Sequence, residues 1–221
     1  MQVVYEDNHI IIVSKQSGEI VQGDKTGDTP LLDIVKQYIK EKYHKPGNVF
    51  LGLVHRLDRP VVGLVVFART SKALTRLNDM FRNGEVHKTY WAITQAPPAD
   101  TEGEIDSWLV RNERQNKSYS YPNERNGAKH AILRYRQIGR SDRYTLLEVN
   151  LLTGRHHQIR CQLASIGCPI KGDLKYGARR SNPDGSISLL ARRVSFIHPV
   201  SHEQIDVEAP LPADRLWQSF K

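Results

Sequence analysis

The apolar runs of this 221-residue chain are short. Leu64 to Ala68 is among the longest, far below the roughly 20 residues a membrane-spanning helix needs. Short apolar bursts separated by polar turns build sheets, because a strand buries its side chains within a few residues. Ile10 to Val13 and Gly63 to Ala68 read as such strands, and Val3 to Tyr5 as another across an Asp7-Asn8 turn. Lys88 to Thr94, Ala131 to Ile138, Tyr144 to Val149, Ser186 to Ile197 and Ile205 to Val207 read the same way.

Helical spacing appears between the strands. Leu31, Leu32, Ile34, Val35, Tyr38 and Ile39 predict an amphipathic helix over 30–43, with Thr29 as its cap and Pro30 in its first turn. A second helix is predicted from a Ser71 cap, burying Ala73, Leu74, Leu77, Met80 and Phe81 and stopping at Asn83-Gly84. Gln158 to Ile166 predicts a short helix ended by Gly167, and Leu211 to Phe220 a closing one. Gly18 to Asp28 reads as loop. No composition shift marks a linker. The expectation is one α+β domain over 1–221, dominated by antiparallel sheet with flanking helices.

Lys and Arg number 32 against 24 Asp and Glu, a formal net charge of +8. The excess is concentrated, since residues 111–160 hold 11 basic and 4 acidic side chains. Such a surface suits a polyanion, because neutralised phosphates release counterions. Arg111, Arg114, Lys117 and Arg125 interleave with Tyr119 and Tyr121, a mixture that favours RNA over lipid, since Tyr and Arg stack on bases. A membrane partner is not expected, because the segment lacks an amphipathic helical period. Cys161 and Cys168 alone build neither a disulfide framework nor a Cys-rich zinc site, and two reduced thiols are expected. No basic stretch followed by an apolar one opens the chain, so a cytoplasmic location is expected.

Three segments carry chemistry. In His55-Arg56-Leu57-Asp58-Arg59-Pro60 an acidic residue stands between two arginines. Held by Arg, that carboxylate stays ionised and serves as nucleophile or base; a structural ion pair at a turn is the plainer alternative. In Lys88-Thr89-Tyr90 the tyrosine reads as core unless a cation or dry pocket tunes it. Thr153-Gly154-Arg155-His156-His157-Gln158-Ile159-Arg160 is a dense polar run before a helix, whose backbone donors suit a phosphate. The adjacent His156 and His157 are expected to point apart, so no shared metal site is expected, and His55 and His87 add no metal spacing.

These segments together resemble the RluA-type pseudouridine synthases. The resemblance rests on His55-Arg56-Leu57-Asp58 with Gly63, then Phe67-Ala68 and the Ala73, Leu77, Phe81 helix. It continues through Lys88-Thr89-Tyr90-Trp91-Ala92 and Gly154-Arg155-His156-His157-Gln158-Ile159-Arg160. Gly167-Cys168-Pro169-Ile170-Lys171-Gly172-Asp173, Tyr176-Gly177, Leu189-Leu190-Ala191 and Phe196-Ile197-His198-Pro199 complete it. The family usually has Thr-Ser where this chain has Val61-Val62, and often His where it has Leu190. The catalytic region starts almost at Met1, without the family's frequent S4 RNA-binding domain, so RNA selection is expected to rest on the catalytic region.

The resemblance implies the pseudouridine synthase fold and isomerisation of uridine in a ribosomal or transfer RNA stem-loop, by a monomer without metal or organic cofactor. It implies that Asp58 is the nucleophile, attacking either the ribose or the uracil ring. Tyr90 stacks on the base and handles a proton, Arg160 pairs with the catalytic carboxylate, and Leu189 lines the pocket. Arg56 fills the space left in the RNA stack when the base is flipped out. His55, Arg155, His157, Gln158, Arg111, Arg114 and Lys117 are expected on the RNA-binding side. A silent RNA-binding protein would need no nucleophile, and a base-excising glycosylase would release free uracil.

Overall fold

The computed structural model describes residues 1–220. Two compact units are present: Met1–His87 with Arg192–Pro210, and Lys88–Ala191 with the residues from Leu211 onward. As expected, the architecture is α+β and sheet-dominated.

In the first unit, β1 (Gln2–Glu6) and β2 (Ile10–Lys15) form an antiparallel hairpin. Asp7 shapes its turn, with Oδ1 accepting from the backbone N–H of His9 and Ile10 at 2.7 and 2.8 Å. β2 pairs antiparallel with β4 (Val62–Ala68), and the short β3 (Gly52–Leu53) pairs with the end of β4. Ile10 to Val13 and Val65 to Ala68 are wholly buried, so these runs have apolar cover on both faces. Fully burying each large member contributes about 1.5–3 kcal/mol.

The helix α2 (Ser71–Asn83) packs against β4 and buries Ala73 and Leu77, while α1 (Leu31–Lys42) buries Leu31, Val35 and Ile39. Their starts differ from expectation. Thr70, not Ser71, caps α2, its hydroxyl accepting from Ala73 N at 3.2 Å. Pro30, not Thr29, stands at the cap of α1 and offers no side-chain acceptor. The first N–H groups of α1 bond instead to the carbonyls of Ile20 and Val21, at 2.7 and 3.2 Å. The Gly18–Asp28 loop thus does the capping. Gly84, at φ +75°, ends α2 as its composition predicts.

In the second unit, strands run in the order β5 (His87–Thr94), β9 (Thr145–Leu151), β8 (Lys129–Arg140), β6 (Glu102–Asn112) and β7 (Lys117–Tyr121), each pair antiparallel. Inward residues alternate along β6 as Ile105, Ser107 and Leu109. The helix α3 (Gln158–Ser165) is fixed to this sheet by Gln162, wholly buried, whose Nε2 reaches the carbonyls of Ile105 and Ala131 and the hydroxyl of Ser107 at 2.9–3.1 Å. β10 (Leu189–Ile197) starts three residues later than the sequence suggests; its far half, from Arg192, belongs to the first unit, as does β11 (Gln204–Glu208), which pairs with that half. Ser188 is occupied in turn bonding, with Lys171 O as its acceptor. The closing helix shrinks to α4 (Arg215–Gln218), whose start is set by Asp214, its Oδ1 accepting from Leu216 N at 2.8 Å.

Candidate active site

Asp58 lies in the first unit, on the turn from β3 to β4, half-buried, with its carbonyl accepting from Val61 N at 3.0 Å. The turn is pinned from β2. Lys15 is wholly buried, and its ammonium donates to the carbonyls of Gln16, Arg59 and Val61 at 2.9, 3.0 and 2.7 Å. Burial pushes the Lys15 amine down to about 8, while the charges of Glu19 and Asp58 pull the other way. Gly18 N donates to Arg59 O as well. The two arginines that flank Asp58 in sequence are engaged with the capping loop. Arg59 pairs with Asp28 at 2.6 Å, and Arg56, exposed, reaches Gln22 Oε1 at 3.5 Å. Successive side chains on a turn diverge, so adjacency in sequence did not make them partners of one carboxylate. His55 Nε2 accepts from Val66 N at 2.9 Å, and its ring stacks on Phe81 at 4.9 Å, tying the turn to β4 and α2.

The second unit holds the other expected residues. Tyr90 sits on β5 opposite Val149 and is 8% exposed. Lys88 is mostly buried, which lowers its pKa, and its Nζ lies beside Gly154. Leu189 is buried at the start of β10. Arg160 is buried on α3, and its Nε and Nη2 pair with the two oxygens of Asp173 at 2.7 and 2.9 Å. This two-pronged pair fixes the guanidinium plane. Its centre also lies 5.1 Å from the Tyr176 ring.

A second network holds the approach to α3. The Tyr176 oxygen accepts from Ser118 N at 2.8 Å and lies 3.0 Å from His157 Nδ1. Burial raises the Tyr176 phenol well above its ordinary value. Burial, with Arg160 next, lowers His157 to about 2, so this imidazole is neutral. His156 and His157 do not point apart: their rings stack at 3.8 Å and 21°. The reason is the left-handed backbone of His157, φ +52°, which breaks the expected alternation. Gln158 is spent on the same loop, its Oε1 accepting from Arg155 N and Thr153 Oγ1 at 2.9 Å and its Nε2 donating to Ile132 O. Gly172, at φ +89°, stands where a Cβ would come within 2.7 Å of Ser186 O, so the turn before Asp173 requires glycine.

Of the basic residues, Arg111, one residue before the end of β6, is exposed, and Arg114 lies on the exposed β6–β7 turn. Lys117 lays its ammonium 5.3 Å from the rings of Tyr119 and Tyr176. Arg155 Nε donates to His130 O at 2.9 Å. Among the described residues, no cluster of three or more His, Cys, Asp or Glu side chains is gathered as for a metal. Sequence reasoning missed Lys15, Asp173 and Tyr176 as partners. Asp173 and Tyr176 stood within matched motifs without a role, and Lys15 closes an apolar run where a charge is unusual.

The RNA pseudouridylate synthase family matches residues 9–165. "Ribosomal large subunit pseudouridine synthase D" of Zymomonas mobilis is 30% identical over 224 residues, 97% of this chain and 70% of that protein. The Pseudomonas aeruginosa protein of the same name is 32% identical over 233 residues, 98% of this chain and 70% of its own length. The solved structure "Human RNA Pseudouridylate Synthase Domain Containing 4" shares the fold, with a TM-score of 0.81 at 23% identity, over 99% of this chain and 91% of that one. The chain therefore belongs to the RluA-type RNA pseudouridine synthases, the isomerases that convert uridine in RNA to pseudouridine.

Proposed function

We propose that this synthase modifies a uridine in a loop of large-subunit ribosomal RNA, with Asp58 as nucleophile and the target base flipped out of its stack. In the isomerisation the bond from ribose C1′ to uracil N1 breaks, the ring turns, C1′ bonds to C5, the C5 proton leaves and N1 gains one. Asp58 attacks the ribose or the uracil ring, and either route requires an ionised carboxylate. Tyr90 stacks on the base and handles the proton, Arg160 keeps the carboxylate charged, Leu189 lines the uracil pocket, and Arg56 fills the vacated stack.

The observation that carries this reading is that the set Asp58, Tyr90 and Arg160 is intact, each on a braced segment: the Lys15-pinned turn, the buried strand β5, and the Asp173 clamp. Binding alone needs no such nucleophile. The ribosomal substrate is supported by what the relatives' names say of them. Flipping costs a few kcal/mol, least in a loop, and the basic second unit offsets it. The test is to treat ribosomal and transfer RNA from a strain lacking this protein with a pseudouridine-specific reagent. Loss of a site in large-subunit ribosomal RNA is the expected result. A loss in transfer RNA alone would overturn the substrate, and free uracil released by the pure enzyme would overturn the reaction.

A further inference from the structure

A hollow of about 190 Å³ on the second unit is lined by Arg111, Ser118, Lys129, Gly154, Arg155 and His156 among others. The sequence placed Arg111 and Arg155 on the RNA-binding side without a defined contact, and gave Lys129 no role. Its cations come from three separate segments. Leu109 on β6 and Ala131 on β8 are buried with Cys161 of α3, and strand alternation places Arg111, two residues after Leu109, and Lys129, two residues before Ala131, on that same face. Lys129 stands opposite Leu109, and Arg111 opposite Ser118 of β7. Arg155 enters from the loop before α3, its guanidinium oriented by the 2.9 Å bond to His130 O.

The wall is rigid as well as basic. The Ser118 hydroxyl lies 2.8 Å from His156 O and 2.9 Å from His156 Nδ1, while His156 Nε2 lies 3.1 Å from Asn116 Oδ1. The His156 ring is further fixed by its stack on His157. At Gly154 the absence of a side chain leaves the backbone open to close approach. Among the described residues, no acidic side chain lines the hollow. Three like charges brought together without a carboxylate repel one another until an anion joins them. Their chemistry, two guanidinium groups and an ammonium, matches the oxygens of a phosphodiester.

We propose that this hollow seats one backbone phosphodiester of the RNA substrate, with Arg111, Lys129 and Arg155 as its ligands. The proposal rests on RNA being the substrate and deepens that reading by adding Lys129 and by giving one phosphate a fixed place. A phosphate held there sets the register of the strand, so the site selects which nucleotide is presented.

The probe is a ten-residue oligouridylate, its affinity measured by fluorescence anisotropy from 50 to 300 mM KCl for the full chain. Lys129→Gln and Arg155→Gln, both at exposed positions, are each expected to weaken binding at least about 5-fold and to flatten the log–log salt dependence by up to about 0.7. Lys129→Arg should retain the wild-type slope. Lys36→Gln, which removes an exposed charge from α1, should leave slope and affinity as they are. Wild-type slopes in both hollow variants, or an equal loss in Lys36→Gln, would overturn the proposal. Pseudouridine formation on ribosomal RNA is read separately: a flattened slope without product leaves the hollow standing and removes the proposed function instead.

Discussion

Replacing Lys15 by methionine separates what a buried ammonium costs from what it holds together. The methionine keeps the apolar stem of the side chain and removes its three bonds to the carbonyls of Gln16, Arg59 and Val61. Arg59 O keeps Gly18 N as a donor, so two carbonyls lose their partner, at about 1–3 kcal/mol each. Against this stands the burial of the charge. The amine titrates near 8 in the fold and at 10.5 when unfolded. Between those values the unfolded chain binds more protons, so wild-type stability rises with pH across this window. The slope from this one group is about 1.4 kcal/mol per pH unit, or about 3 kcal/mol in total. At pH 7 the two effects nearly cancel, and Lys15→Met is expected to be only mildly destabilised. At pH 10.5 the wild type has shed the charge and the variant should lie about 3 kcal/mol further below it. The assay is urea unfolding of both proteins at several values between pH 7 and 10.5. Tyrosines and other lysines titrate alike in the two proteins and drop out of the difference. Parallel stability curves would refute the burial argument. A gap that narrows with rising pH would show that attraction to Glu19 and Asp58 outweighs desolvation. Turnover should fall in the variant at every pH, because the turn that carries Asp58 loses its tether to the Lys15 side chain.

Asp58→Asn should abolish pseudouridine formation while RNA affinity and melting temperature persist; appreciable turnover by the pure variant would remove the nucleophile assignment. Arg160→Lys and Asp173→Asn should each destabilise the chain, by about 3 kcal/mol for the loss of the carboxylate. The double variant should fall short of their sum by about 1–3 kcal/mol, and an additive result in denaturant titrations would count against a shared pair. Gly172→Ala forces a side chain onto a left-handed backbone and into Ser186 O. It should cost about 2–4 kcal/mol and lower the melting temperature by roughly 4–16 °C, whereas an unchanged melting curve would show that the turn relaxes.

What was legible in the sequence was local. Ile10 to Val13 and Gly63 to Ala68 declare themselves as strands because their apolar runs are short and unbroken, and both lie in the buried sheet. Gly84 and Gly167 mark helix ends because the left-handed backbone there selects glycine. The motif residues Asp58, Tyr90 and Arg160 are equally visible. Their supports are not, because each depends on chain closure over a distance. Asp173 meets Arg160 across a glycine-dependent turn, Tyr176 reaches Ser118 on β7, and Lys15 meets a turn more than forty residues away. The ring stack of His156 and His157 depends on one backbone torsion that neighbouring side chains do not encode. The caps of α1 escaped for the same reason, since their acceptors are backbone carbonyls of the preceding loop.

The three bonds that Gln162 makes to β6 and β8 set the slowest clock in the second unit. α3 cannot peel away from the sheet without leaving a primary amide and two strand carbonyls bare in an apolar interior. Its amide hydrogens should therefore exchange with solvent only when the whole unit opens, whereas those of the exposed 113–116 turn exchange through local fluctuation. Arg160 rides on that helix. Its guanidinium is thus set in place when the protein folds, and any fitting of the enzyme to different RNA substrates is expected to fall to the exposed turns rather than to α3.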